Sequence, residues 1–190
     1  IQNINWIKSI PTNENESTLW KNIRKSYKSP INKGLKEQSF LIIDKFNLDY
    51  KKFKLIKELH LKISGRKTRS DKSWELQYSS IKNDSGFAFI SFEKDEMNLN
   101  SAVYFYKSNK HAYYGTGLYT ENAKKNLYGY CLIWKALLYC IERGIYSCEL
   151  DDNVKFQWMS DIDKKLLDIS FLKSGFGGEL SPRIIFSILK

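Results

Sequence analysis

GFAFISFE (86–93), SAVYFYK (101–107) and KHAYYGTG (110–117), followed by LYGYCLIWKALLYCIERG (127–144), decide how this chain folds. The first three runs are rich in Phe, Tyr, Ile and Val with a period of two, and the connections 94–100 and 108–109 are turn-like, which describes an antiparallel meander. In the fourth run Leu127, Cys131, Trp134, Leu138 and Ile141 share one side of a helix, with Arg143 in its last turn and Gly144 just past it. Residues 145–150 read as a strand, and a polar stretch, a short segment 166–172, a Gly-rich turn and a terminal strand 183–189 follow. A meander joined to a β-α-β crossover gives one mixed sheet with helices on both faces, an α/β (α+β) architecture.

Toward the N-terminus, after an opening that reads as irregular, Ser17 caps a helix with Trp20, Ile23 and Tyr27 at i, i+3 and i+7. Pro30 interrupts it, and residues 31–34 read as its end. Lys21, Arg24, Lys25 and Lys28 take another face of the same segment, which reads either as a surface turned to an anion or as a solvated face. Residues 39–46 form a short apolar strand. Residues 49–63 return to helical spacing through Phe53, Ile56, Leu59 and Ile63, ended by Gly65. A basic loop at 66–69 leads to a helix capped by Ser70 or Asp71, carrying Trp74, Gln77, Tyr78 and Ile81, and closed by a turn at 83–86. The division expected is a basic N-terminal segment at 1–48, open to being the end of a preceding domain, and a catalytic-type domain at 49–190.

A net charge of +10 is unevenly placed: residues 1–70 hold 16 Lys and Arg against six Asp and Glu, whereas residues 71–190 hold 15 of each. That asymmetry fits an anionic ligand or partner meeting the first part, or a lysine-rich surface that serves solubility. Cys131, Cys140 and Cys148 form no CxxC pair, which suits a reducing compartment, and His60 and His111 have no ligand-spaced partners, so no metal is expected. No apolar run approaches the roughly 20 residues of a membrane span, and the chain reads as soluble and cytoplasmic. It begins at Ile1, as a processed product or a piece of a longer chain would.

Particular residues go further. Ser64-Gly65-Arg66-Lys67-Thr68-Arg69, then Trp74 and Gln77, Tyr113-Tyr114-Gly115, Leu132-Ile133-Trp134-Lys135-Ala136, Arg143-Gly144, and Phe171-Leu172-Lys173-Ser174-Gly175-Phe176-Gly177-Gly178 occur in an order that resembles the Fem-like (FemAB-type) branch of the GNAT acetyltransferase superfamily. The likeness reaches back to Arg24-Lys25-Ser26-Tyr27-Lys28 and Ile31-Asn32-Lys33-Gly34, so it covers nearly the whole chain. It implies a GNAT-like fold and transfer of an acyl or aminoacyl group to an amine, with acyl-CoA or aminoacyl-tRNA as donor. The implied acceptor is an amino sugar, a cell-envelope glycan precursor or a nucleotide-linked cell-wall peptide. Two departures weaken the tRNA and cell-wall versions: there is room for one such domain, and no long helical hairpin is inserted. The glycine spacing of the usual pyrophosphate loop is also missing between Tyr114 and Trp134.

Acyl transfer needs a polarised carbonyl and aligned reactants. Lys173, beside a glycine-rich turn, is the first candidate for a phosphate or an oxyanion, against a plain surface lysine. Arg66 and Arg69 suit bidentate phosphate or carboxylate contacts, against ion pairs that tie down the loop. Trp74 and Gln77, one turn apart, suit a sugar or peptide, against core packing. Tyr114 is favoured over Tyr113 as the hydroxyl facing a cleft, and Asp151 at a strand end is the candidate base, against a turn cap. Arg24 and Gly129 complete the expected substrate-binding set, Gly129 through a helix N-terminus able to receive phosphates. The rival function is a non-catalytic module holding nucleic acid or an anionic glycan on the basic N-terminal half.

Overall fold

The computed structural model describes residues 3–94, 98–152 and 164–185. In chain order the elements are β1 (Asn3–Pro11), α1 (Glu16–Asn22), α2 (Lys25–Glu37), β2 (Gln38–Ile43), α3 (Tyr50–Ser64), α4 (Asp71–Lys82), β3 (Gly86–Glu93), β4 (Leu99–Lys107), β5 (His111–Tyr119), α5 (Glu121–Lys125), α6 (Gly129–Glu142), β6 (Ser147–Asp152), α7 (Lys164–Ser174) and β7 (Glu179–Ile185). One seven-stranded sheet runs β2-β3-β4-β5-β6-β1-β7. Its β5–β6 contact is parallel and the other five are antiparallel, so the expected mixed sheet with helices on both faces is what forms.

Two cores result. Under α1, α2 and α6 lie Leu19, Ile31, Phe87, Phe105, Leu132, Leu137, Cys148 and Phe176. Under α3 and α4 lie Phe53, Ile56, Leu59, Trp74, Ile81, Ala88, Ile90 and Tyr104. The alternation of the meander strands sends neighbours such as Phe87 and Ala88 to opposite layers. Local signals bound the helices: Ser70 and Gly65 act as read, Ser70 accepting from Ser73 N and Gly65 closing α3 at φ 66°, and Asp49, not singled out as a cap, accepts from Lys51 N.

Several expectations are corrected. The opening is not irregular, because β1 inserts between β6 and β7, partners more than a hundred residues away that no local pattern announces. The helix expected from Ser17 onward is two helices. Asn15 is the cap, accepting from Thr18 N at 2.9 Å, and the chain turns extended at Ile23. Arg24 N donates to Gly175 O at 2.8 Å, a tertiary bond that takes the N–H a continuous helix would have used. Pro30 lies inside α2, and residues 31–34 do not end it. An internal proline costs about 3 kcal/mol; burying Tyr27 and Ile31 against the core returns about 1.5–3 kcal/mol each. The long helix starts at Gly129, after the separate short α5 and a left-handed Leu127 (φ 59°). The short segment is α7, and the terminal strand starts earlier, at Glu179, with Pro182 tolerated because β7 is a sheet edge. Residues 1–48 supply β1 and β2 to the same sheet as the rest, β2 pairing with β3 over six residues.

Candidate active site

β5 and β6 share only three parallel rungs, His111 with Ser147, Ala112 with Cys148 and Tyr113 with Glu149. β5 continues to Tyr119 on β4, whereas β6 continues on β1, so the sheet opens into a fork just past Tyr113. At the root of the fork the β4–β5 register slips: Phe105 faces Tyr114 but Tyr104 faces Thr116, leaving Gly115 as the extra residue of a bulge. A bulge reverses the alternation beyond it. Tyr114 and Tyr119, five apart and due on opposite faces of a regular strand, therefore meet on the α6 face, their hydroxyls 3.1 Å apart. Thr116 goes to the α3/α4 face, alongside Leu118.

On the α6 face Lys173, 4% exposed, holds its ammonium 5.3 Å from the Tyr114 ring centroid. A buried ammonium is costly unless compensated, and an aromatic face is one compensation. Burial, and then the neighbouring Tyr114, push the Tyr119 hydroxyl well above its ordinary range, so it stays a neutral phenol. Tyr119 also lies against the first residue of α6, where a Cβ on Gly129 would fall 2.8 Å from its ring. The glycine expected to receive phosphates is also a close-packing position. The helix N-terminus there has no side-chain cap.

Arg24 reaches the same region from the start of α2. Its Nη2 donates to Ser174 Oγ at 3.1 Å, and its guanidinium lies 4.4 Å from the Phe171 ring centroid and 5.0 Å from that of Tyr27. Tyr27 in turn donates to Phe171 O at 2.7 Å, tying α2 to α7. The break before Arg24 also undoes the expected stripe, since Lys21 lies in the last turn of α1 whereas Lys25 and Lys28 belong to α2.

The opposite face is different in character. Arg69 donates from Nη2 to Thr116 Oγ1 at 3.0 Å, with its guanidinium 5.4 Å from the Trp74 ring centroid. Trp74 is buried edge-on to Phe53 and His60, and Arg66 is exposed on the α3–α4 loop. Burial, and then Arg69, hold the His60 imidazole below its ordinary value. Gln77 is 4% exposed, and its Oε1 has no hydrogen-bond partner among the described residues. Asp151 lies on β6, and its side chain falls outside the described residues.

The structure thus brings Tyr114, Lys173, Arg24 and Gly129 together on one face and sets Arg69 and Trp74 across the sheet from them. Tyr119, Thr116 and Lys8 were missed by sequence reasoning. Only the paired glycines Gly115 and Gly117 hinted at a break in the strand. Hollows of about 410 Å³ beside Trp20 and Trp134, and of about 330 Å³ between α3 and α4 over Phe53 and Trp74, are lined by neither Tyr114 nor Lys173. Among the described residues no group of three His, Cys, Asp or Glu is placed to hold a metal, and no helix is long and apolar enough to cross a membrane.

A mixed sheet opened by a splayed parallel pair, with a long helix between its two strands, is a GNAT-type fold of the Fem-like kind. FemX superposes with a TM-score of 0.69 at 13% identity, over 93% of this chain and 59% of that one. L-PGS from Bacillus licheniformis matches at 0.61 and 9%, over 94% and 59%. AAC(6')-Iy, in complex with the bisubstrate analogue CoA-S-monomethyl-acetylneamine, matches at 0.57 and 10%, over 80% and 98%. The chain therefore spans about three-fifths of the first two and nearly all of the third. No family model and no curated protein matches the sequence.

Proposed function

We propose that the chain is an N-acyltransferase that moves an acyl or aminoacyl group, from acyl-CoA or aminoacyl-tRNA, onto an amine of an amino sugar or a cell-envelope glycan precursor. One observation carries this reading: a buried lysine and a pair of bonded tyrosines stand at the root of a fork between parallel strands. The names of the structural neighbours, among them a CoA-based bisubstrate complex of an aminoglycoside acetyltransferase, support transferase chemistry on such a frame.

The donor carbonyl enters the fork and the amine approaches from the α3/α4 face, past Arg69 and Trp74. Attack forms the C–N bond and turns the carbonyl oxygen into an oxyanion, which the Lys173 ammonium and the peptide N–H at the Gly115 bulge stabilise. Collapse breaks the bond to the thiol sulfur or ribose oxygen, and Tyr114 supplies that leaving group with a proton. The amine gives up one proton, for which Asp151 is the proposed acceptor, so one proton is lost and one gained per turnover and exchange with solvent restores both residues. Tyr119 keeps Tyr114 aimed into the fork. Arg66 and Gln77 remain proposed contacts to a larger acceptor. The test is turnover: the purified chain is assayed with acetyl-CoA and with an aminoacylated CCA-ended RNA against glucosamine and aminoglycosides. Product that vanishes in Lys173→Met supports the reading, and no product with either donor sinks it.

A further inference from the structure

The loop after α7 contains three glycines, and each is required by something other than the loop itself. A Cβ at Gly175 would fall 2.0 Å from the Tyr27 ring, one at Gly177 would fall 3.0 Å from Asn22 O, and one at Gly178 would fall 2.2 Å from Ser9 O. Gly177 and Gly178 also hold φ of 80° and 77°, which L side chains rarely adopt. The loop is therefore clamped between the backbone of β1 and the end of α1, and that clamping sets Lys8, the neighbour of Ser9, on one side and Arg24, two residues past Asn22, on the other. Lys8 donates from Nζ to Gly178 O at 2.8 Å and Arg24 donates to Ser174 Oγ, so both cations point at one loop.

Neither charge is neutralised by its hydrogen-bond partners, which are the Gly178 carbonyl for Lys8 and the Ser174 and Tyr27 hydroxyls for Arg24. Among the described residues neither forms an ion pair within 4.0 Å. Burial, and then Arg24, lower the Lys8 pKa, with Glu179 opposing them. Two half-buried cations held close together around a glycine-rich loop repel each other unless an anion joins them.

We propose that Lys8 and Arg24, set on either side of the Gly175–Gly178 loop, form a cradle for a phosphate group of the acyl donor, adjoining Lys173 at the fork. This rests on the transferase reading for the word donor, but the phosphate site itself does not depend on turnover. A phosphate bound there lies on the α2 side of the sheet, away from Arg69, and leaves the α3/α4 face to the acceptor.

Inorganic pyrophosphate is the first probe, titrated by calorimetry into the wild type, Lys8→Met, Lys8→Arg, Arg24→Lys and a distant control, Lys62→Gln. Losing a charge-assisted bond weakens binding about tenfold. The expected result is weakening of that size in Lys8→Met and Arg24→Lys, recovery in Lys8→Arg, and no change in the control. Thermal melts of the free proteins accompany each titration, and Lys8→Arg keeps the test valid if Lys8→Met loosens the loop. Pyrophosphate affinity that is equal in wild type and Lys8→Met, or that falls as much in Lys62→Gln, overturns the cradle. Titration of acetyl-CoA and of a short CCA-ended RNA identifies the source, because the true donor loses affinity in Lys8→Met. Unaltered amine acylation by Lys8→Met overturns the cradle and leaves the transferase standing. Intact, Lys8-dependent phosphate binding without any acylation does the reverse.

Discussion

The two faces of the sheet at the fork are built from the same strand by different means. On the α6 face charge meets aromatic rings: buried Lys173 on Tyr114, and half-buried Arg24 between Phe171 and Tyr27. On the α3/α4 face no charge among the described residues is as deeply buried as Lys173: Arg69, half-buried over Trp74, reaches Thr116 from a loop, and Asp71 bridges Lys57 and Lys67 on the surface. Desolvated charges are strong and position-sensitive, whereas solvated ones are weak and forgiving. In the proposed reading the α6 face takes the reacting bond, and the α3/α4 face takes the binding and release of an acceptor.

The contrast can be broken most sharply at Lys173. Lys173→Met is expected to lower kcat about 10²–10³-fold with a small change in acceptor KM, as for loss of an oxyanion donor; steady-state kinetics decide, and a pure KM effect would move Lys173 to a binding role. Next comes the packing beneath that face. A Cβ on Gly34 would fall 2.4 Å from Cys131 Sγ, across the α2–α6 contact. Gly34→Ala is expected to destabilise by about 1–3 kcal/mol through overpacking, read from denaturant unfolding, with Cys131→Ala in the same chain recovering part of the loss.

On the other face Arg69→Ala is expected to raise the acceptor KM about tenfold while leaving the donor KM unchanged, the effect of losing one charged hydrogen bond if the acceptor binds there as proposed. A matching rise in donor KM would erase the division of labour between the faces. The smallest effect belongs to Asp71, whose carboxyl is held down to about 2 by hydrogen bonds from Lys57 and Lys67. Its folded-state pKa lies below the unfolded value of about 3.9, so what it adds is present above that value and is lost as pH falls through about 2. The melting-temperature gap between wild type and Asp71→Asn should be slight at neutral pH and should close between about pH 4 and 2; a gap that persists at pH 2 would assign the effect to something other than charge.

Much of this molecule was legible beforehand, and the legible parts share a cause. The caps at Ser70 and Gly65 and the meander of β3, β4 and β5 depend on residues close in sequence, so propensity and period express them directly. Lys173 and Tyr114 were picked out because a family resemblance marked them, and geometry puts the two in contact. Tyr119 was hidden because strict alternation sends it away from Tyr114, and only the slip at Gly115 returns it. Lys8 was hidden because its strand has no local signature and joins the sheet between β6 and β7.

The sequence by itself determined the meander and most of the helices, the sign and placement of charge, and the ordered set of residues that resembles an acyltransferase family. Tertiary structure alone decided that α1 and α2 separate at Ile23, that β1 completes the sheet, that β5 bulges at Gly115, and that the fork opens after three rungs. The physical reason is range. A cap or a periodic face is settled within a turn or two of the chain, but the bulge and the fork are settled by pairing with other strands, and strand insertion and the competition for the Arg24 N–H by partners more than a hundred residues away.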